Sequence, residues 1–141
     1  MTDTRTIFVP GTPAPQGSKR HVGRGILVES STALGPWRER VALQAHQHAH
    51  GELWDCAVIL DLAFVMPRPK STPKLSTPPA IRKPDLDKLI RAICDALTDV
   101  WITDDSRIVQ LNATKRIAEL GETPGAKIIM RQHITYIEHV R

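Results

Sequence analysis

The chain has 141 residues, 41% of them hydrophobic and 4% aromatic, with a formal charge of +4. That length fits one compact domain with an aliphatic core, and three Trp and one Tyr are too few for the stacking platforms used on single strands. The charge is uneven: residues 85–105 hold six acids and two bases, a net of −4, which leaves +8 on the other 120 residues. A basic body around one acidic island suits an enzyme that holds phosphates beside a metal site. A modest positive charge is equally ordinary in domains that bind no nucleic acid. Cys56 and Cys94 lie in apolar surroundings, which predicts buried thiols in a reducing compartment and no disulfide scaffold. Residues 1–5 lack a signal-peptide layout, and no apolar run reaches membrane-spanning length. A soluble, cytoplasmic protein with no membrane partner is expected.

Thr6 to Val9 reads as a first strand, stopped by Pro10-Gly11. A Pro/Gly segment carrying Lys19, Arg20 and Arg24 follows, then a short strand over Gly25–Glu29. The two strands predict a hairpin with a basic tip. Ser30, Ser31 and Thr32 offer capping side chains. Leu34, Trp37, Val41, Ala45 and His48 recur at helical spacing, which predicts a helix from Pro36 to His50 ended by Gly51. His46 and His50 are four apart, a metal-binding spacing. With no third ligand nearby, the reading is solvent-facing histidines at a helix end.

Cys56–Met66 is nearly all apolar and rich in β-formers, which predicts a central strand covered on both faces. Asp61 interrupts it and reads as a hydrogen-bonded structural residue. Pro67–Pro84 has six prolines, five bases and no acid. Such proline density forbids helix and interior strand, so this is a long loop. Asp85–Thr98 is the clearest helix, with an apolar stripe of Leu86, Leu89, Ile90, Ile93 and Leu97. Arg107–Lys115 and Ala126–Ile137 read as two strands paired through the loop at 121–125. The expected class is α+β: a single domain with a mixed sheet of four to five strands and two main helices.

The sharpest local signal is Pro84-Asp85-Leu86-Asp87 opening that helix, followed by Asp104-Asp105 before a strand. Metal-assisted phosphodiester cleavage needs several carboxylates around a hard cation that takes oxygen ligands. Residues two apart in mid-helix diverge. Asp85 and Asp87 can share an ion only if Asp85 is the N-cap and Asp87 lies in the first turn. The helix dipole favours carboxylates there. The competing reading is plain: aspartates cap helices, and Asp-Asp-Ser makes turns. Arg91, one turn after Asp87, can stabilise charge on a phosphate or form an ion pair with Asp87 or Asp95.

Residues 83–111, KPDLDKLIRAICDALTDVWITDDSRIVQL, resemble the signature of the RusA family of Holliday junction resolvases. That pattern is Asp-x-Asp-Asn-Leu, a basic residue one turn on, Asp-Ala-Leu, then Asp-Asp and a strand. Val9-Pro-Gly-Thr-Pro13, with Gly17 and a basic pair after it, also looks like the family's opening segment. The resemblance implies a dimeric, Mg²⁺-dependent endonuclease of bacteria or their phages, with Mn²⁺ able to substitute. Such enzymes nick opposed strands at four-way junctions and leave ligatable ends. It assigns Asp85, Asp87 and Asp105 to the metal and to catalysis, with Arg91 where the family has an essential Lys. Lys88 stands in place of the usual Asn. Asp104 is expected to support the turn, and Lys115 to neutralise charge beside it. Lys19, Arg20, Arg24, Arg68, Lys70, Lys74, Arg82, Lys83 and Lys88 are expected to follow the DNA backbone. Two other readings fit the same residues: a nuclease selective for forks or flaps, and a non-catalytic DNA-binding module.

Overall fold

A computed structural model describes residues 3–17, 19–21, 27–29, 33–49 and 51–133. Strand β1 spans Thr4–Pro10, β2 Lys19–His21 and β3 Leu27–Glu29. Helix α1 is Leu34–Gln47, β4 is Val58–Met66 and α2 is Leu86–Leu97. A 3₁₀ turn at Asp105–Arg107 leads into β5, Ile108–Ile117, and β6, Gly125–Gln132, ends the described fold.

The apolar run of β4 sits inside the sheet, whose order is β1-β6-β4-β5. β6 is antiparallel to both β1 and β4, and β4 is parallel to β5. The α+β reading with a mixed sheet and two helices therefore holds. Two pairings differ from expectation. β1 pairs with β6, and the short hairpin is formed instead by β2 and β3. β5 and β6 are consecutive but not adjacent, because β4 lies between them. The turn at 121–125 marks a reversal and not a hairpin. The more apolar β4 takes the inner place, and the polar β5 takes the edge, where alternate positions meet water.

Both helices pack on one face of the sheet. Val58, Leu60, Leu62, Phe64 and Met66 of β4 bury there with Ile7, Val9, Ala126, Ile128 and Met130. From α1 come Leu34, Trp37, Val41 and Ala45, and from α2 Leu89, Ala92, Ile93, Ala96 and Leu97. Full burial of each Leu or Ile contributes about 1.5–3 kcal/mol. His48, expected in the α1 stripe, is exposed, and its Nδ1 lies 2.9 Å from the Gln44 carbonyl oxygen. α1 also ends earlier than expected, at Gln47; His50 and the capping candidates 30–32 lie outside the described residues. The second face of β4 carries no helix among the described residues: Ile59 and Val65 are buried there, Asp61 and Ala63 are half-buried, and Phe8 of β1 is exposed. The coverage on both faces expected from the apolar run is thus complete on the helix side and partial on the other.

Arg5 is the one buried charged side chain among the described residues. Its guanidinium donates to the carbonyls of Glu52 (2.9 Å), Trp101 (3.2 Å) and Ala49 (3.4 Å), and stacks 3.9 Å over Trp54. This ties β1 to the end of α1 and to the two tryptophan loops. Trp101 Nε1 adds a bond to the Ala45 carbonyl.

Candidate active site

α2 runs antiparallel to β5 across the βαβ crossover, so its start lies near the end of β5. Lys115 shows this directly: its ammonium donates to the carbonyls of Arg82 and Pro84, both at 2.8 Å. Those bonds fix the chain just before Asp85. Asp85 is the N-cap of α2, with φ −69° and ψ 142°, and its side chain makes no capping bond. Asp87 lies in the first turn. The geometry required for two carboxylates at a helix start to face one ion is therefore present, and the ordinary capping role of Asp85 is not exercised.

Asp105 enters from the 3₁₀ turn at the other end of α2. Burial pushes the Cys94 thiol up to about 11, and the nearby negative charges of Asp105 and then Asp95 push the same way. Asp105 thus lies within electrostatic reach of Cys94. Cys94 is two turns on from Asp87, on the same side of the helix and about 10 Å along its axis. Asp85 and Asp87 lie at the start of α2 and Asp105 near Cys94 toward its end, and all three are exposed. No described residue gives any of the three carboxylates a hydrogen bond or ion pair. Among the described residues, no three His, Cys, Asp or Glu side chains are gathered closely enough to enclose an ion. The three acids thus form no closed cage.

The turn bearing Asp105 is braced from outside the signature. Asp104 accepts from the Ser106 N–H at 2.9 Å, which lowers its pKa. Asp55 accepts from Thr103 Oγ1 at 2.7 Å and Arg107 Nε at 2.9 Å, and these bonds hold its carboxyl below the usual range. Sequence reasoning missed Asp55 and Arg107. Nothing in their spacing, 52 residues apart, could have linked them.

Arg91 is exposed and pairs with neither Asp87 nor Asp95. Asp95 is instead 3.8 Å from Arg38 of α1. Among the described residues the Arg91 guanidinium has no hydrogen-bond or ion-pair partner, and it lies on the same helix as Asp87. Lys88 lines a cleft of about 610 Å³ with Asp85, Lys83, Pro84, Thr12 and Pro15. Its backbone carbonyl accepts from Gln16 at 2.9 Å, which attaches the N-terminal Pro/Gly segment to α2.

The expected backbone-tracking residues divide into groups. Lys70, Lys74, Arg82 and Lys83 are exposed on the 67–84 loop. Arg68 is not available in the same way. Its guanidinium donates to Thr77 Oγ1 and to the carbonyls of Pro73, Ser76 and Ala118, so it organises the loop. Lys19 and Arg20 lie in β2, and Arg24 lies outside the described residues. Asp61 accepts from Asn112 Nδ2 on the uncovered face, as a structural residue would, and away from the acids of α2.

A curated relative from Bacillus subtilis (strain 168), named "Uncharacterized protein YqaN", is 27% identical over 143 residues, covering 92% of this chain and 97% of the relative. The family model Endodeoxyribonuclease RusA matches residues 10–131, which include Asp85, Asp87, Asp105 and the loop between β4 and α2. No described helix is long and apolar enough to cross a membrane. The chain belongs to the RusA family of junction-resolving endodeoxyribonucleases.

Proposed function

We propose that this protein is a Mg²⁺-dependent endonuclease that resolves four-way DNA junctions by paired, symmetric nicks during recombination and repair. The observation that carries this reading is the N-cap carboxylate of Asp85, free of any capping bond, with Asp87 exposed beside it in the first turn of α2.

The donor set is all oxygen, which suits a hard cation that uses one or two carboxylates and keeps several waters. Asp85 and Asp87 would hold the ion directly, and Asp105, beside the later turns of α2, would act on the bound DNA at longer range. Bound there, the metal supplies Lewis-acid charge neutralisation and lowers the pKa of a water. The residues do the rest. The start of α2 presents its positive dipole end toward the scissile phosphate. Arg91 offers a permanent cation to the non-bridging phosphate oxygens as negative charge accumulates on them. Arginine cannot relay a proton at working pH, so its part is electrostatic. Lys115 positions the 82–84 segment, and so Asp85, through its two carbonyl bonds. Lys70, Lys74, Arg82 and Lys83 supply the salt-dependent hold on the backbone.

Two symmetric cuts across a two-fold junction call for a two-fold enzyme. The uncovered sheet face supports a homodimer. Ile129, Ala63 and Phe8 give it apolar area, and Asp61, Lys127 and Arg131 give it both signs of charge. The test is a synthetic mobile four-way junction incubated with Mg²⁺ or EDTA and mapped on all four strands. Paired nicks at symmetric positions, only with metal, are expected. Cleavage of flaps or forks in preference to the junction would contradict the substrate assignment.

A further inference from the structure

The loop between β4 and α2 does more than carry charge. It borders an open cavity of about 640 Å³ lined by Met66, Pro69, Pro73, Pro79, Ile81 and Ile117. That volume is in the range of small-molecule sites. The walls are held in place. Arg68 reaches four acceptors from one guanidinium, and Thr77 Oγ1 passes a further bond to Glu119. Thr72 and Ile81 close local turns onto the carbonyls of Pro69 and Pro79. The hydroxyl residues Thr12, Ser71 and Thr72 also line the space.

Two facts identify an occupant. The cavity is apolar inside, while Arg82 and Lys83 line it with exposed cationic side chains, and no acid occurs between residues 67 and 84. A nucleotide has the matching division: a flat base of low charge and an anionic phosphate. The cavity is also continuous with the site. Thr12, Met66, Lys83 and Pro84 line both it and the cleft that contains Asp85. A phosphate held at Asp85 would have its neighbouring nucleotide at the cavity mouth.

We propose that the cavity beneath the proline-rich loop takes an unstacked nucleobase of the strand being cut, and thereby sets which sequence is cleaved. The proposal rests on the nuclease reading above. A base at a branch point is the least costly to unstack, so the pocket also favours junctions over duplex. Apolar walls discriminate bases by shape, and the lining hydroxyls by hydrogen bonds.

The experiment places 2-aminopurine at successive positions around the cut in a four-way junction. Its emission rises when it leaves the stack, and it is read without divalent metal, so it does not depend on cleavage. Wild-type protein is expected to raise emission several-fold at one position beside the cut. Ala80→Trp and Ser71→Trp, which fill the cavity from different sides, are each expected to abolish that rise. They should also flatten the preference among cutting dinucleotides by about tenfold. Melting temperatures near wild type show that these variants fold. Unchanged emission at every position with wild-type protein overturns the proposal, as does a rise that both Trp variants retain. Metal-dependent cleavage with unchanged emission sinks only the pocket; an emission rise without any cleavage sinks only the nuclease reading.

Discussion

Charge is handled in opposite ways at two places in this molecule. Around the tryptophan loops and the 103–107 turn, each noted charge has a partner: Arg5 meets three carbonyls and an indole, and Asp55 meets Thr103 and Arg107. Along α2 and in the turn beside it, Asp85, Asp87, Arg91 and Asp105 have none among the described residues. The first arrangement stabilises the fold. The second contributes nothing to it, and the negative charges of Asp85 and Asp87, at one helix start, repel one another. Groups kept unpartnered at a cost to stability are placed for something that arrives from outside. The contrast predicts that activity and stability can be separated by choosing the region to mutate.

The largest effect should come from Asp87→Asn. Cleavage should fall at least about 10³-fold, roughly 4 kcal/mol of transition-state stabilisation, while junction binding stays or tightens. The melting temperature should hold or rise, because one repelling charge is gone. Joint loss of binding and folding would erase the contrast. Arg5→Ala should do the reverse. Losing hydrogen bonds from a buried cation costs about 3 kcal/mol of stability, read by denaturant unfolding, with cleavage retained at low temperature.

The partnered contacts around the tryptophan loops and the 103–107 turn were far less legible in the sequence than the first turn of α2. Asp85 could be placed at a helix start because Pro84 and the Leu89–Ile93–Leu97 stripe are local signals. β4 declared itself by its apolar run. Strand order did not, because a turn at 121–125 says only that the chain reverses, while the competition for the inner position is decided by the whole sheet. Arg68 looked like one more phosphate contact. Its role depends on a carbonyl 50 residues away at Ala118, which no spacing rule reaches. Asp55 was invisible for the same reason.

A smaller effect is expected at Arg91. Arg91→Ala should slow cleavage about 10²-fold, and Arg91→Lys should recover most of that if the cation acts by charge alone. A Lys variant as slow as Ala would show that the planar fork of the guanidinium matters. The smallest effect concerns pH. The pKa values of Asp55 and Asp104 are lowered in the folded state, so their contribution is present above the ordinary carboxylate range near 4. It is lost only as pH falls through the lowered values. Near-ultraviolet circular dichroism of the tryptophan loops should therefore stay constant from pH 7 to about 4 and change only below that.

The central claim is that the unpartnered acids of α2 await a divalent cation. Paramagnetic broadening of backbone amide resonances by substoichiometric Mn²⁺ tests it without reference to activity. Broadening centred on residues 85–88, and weaker around Asp55 and Glu122, is the predicted result. Broadening centred on the paired acids, or none at all, would contradict it.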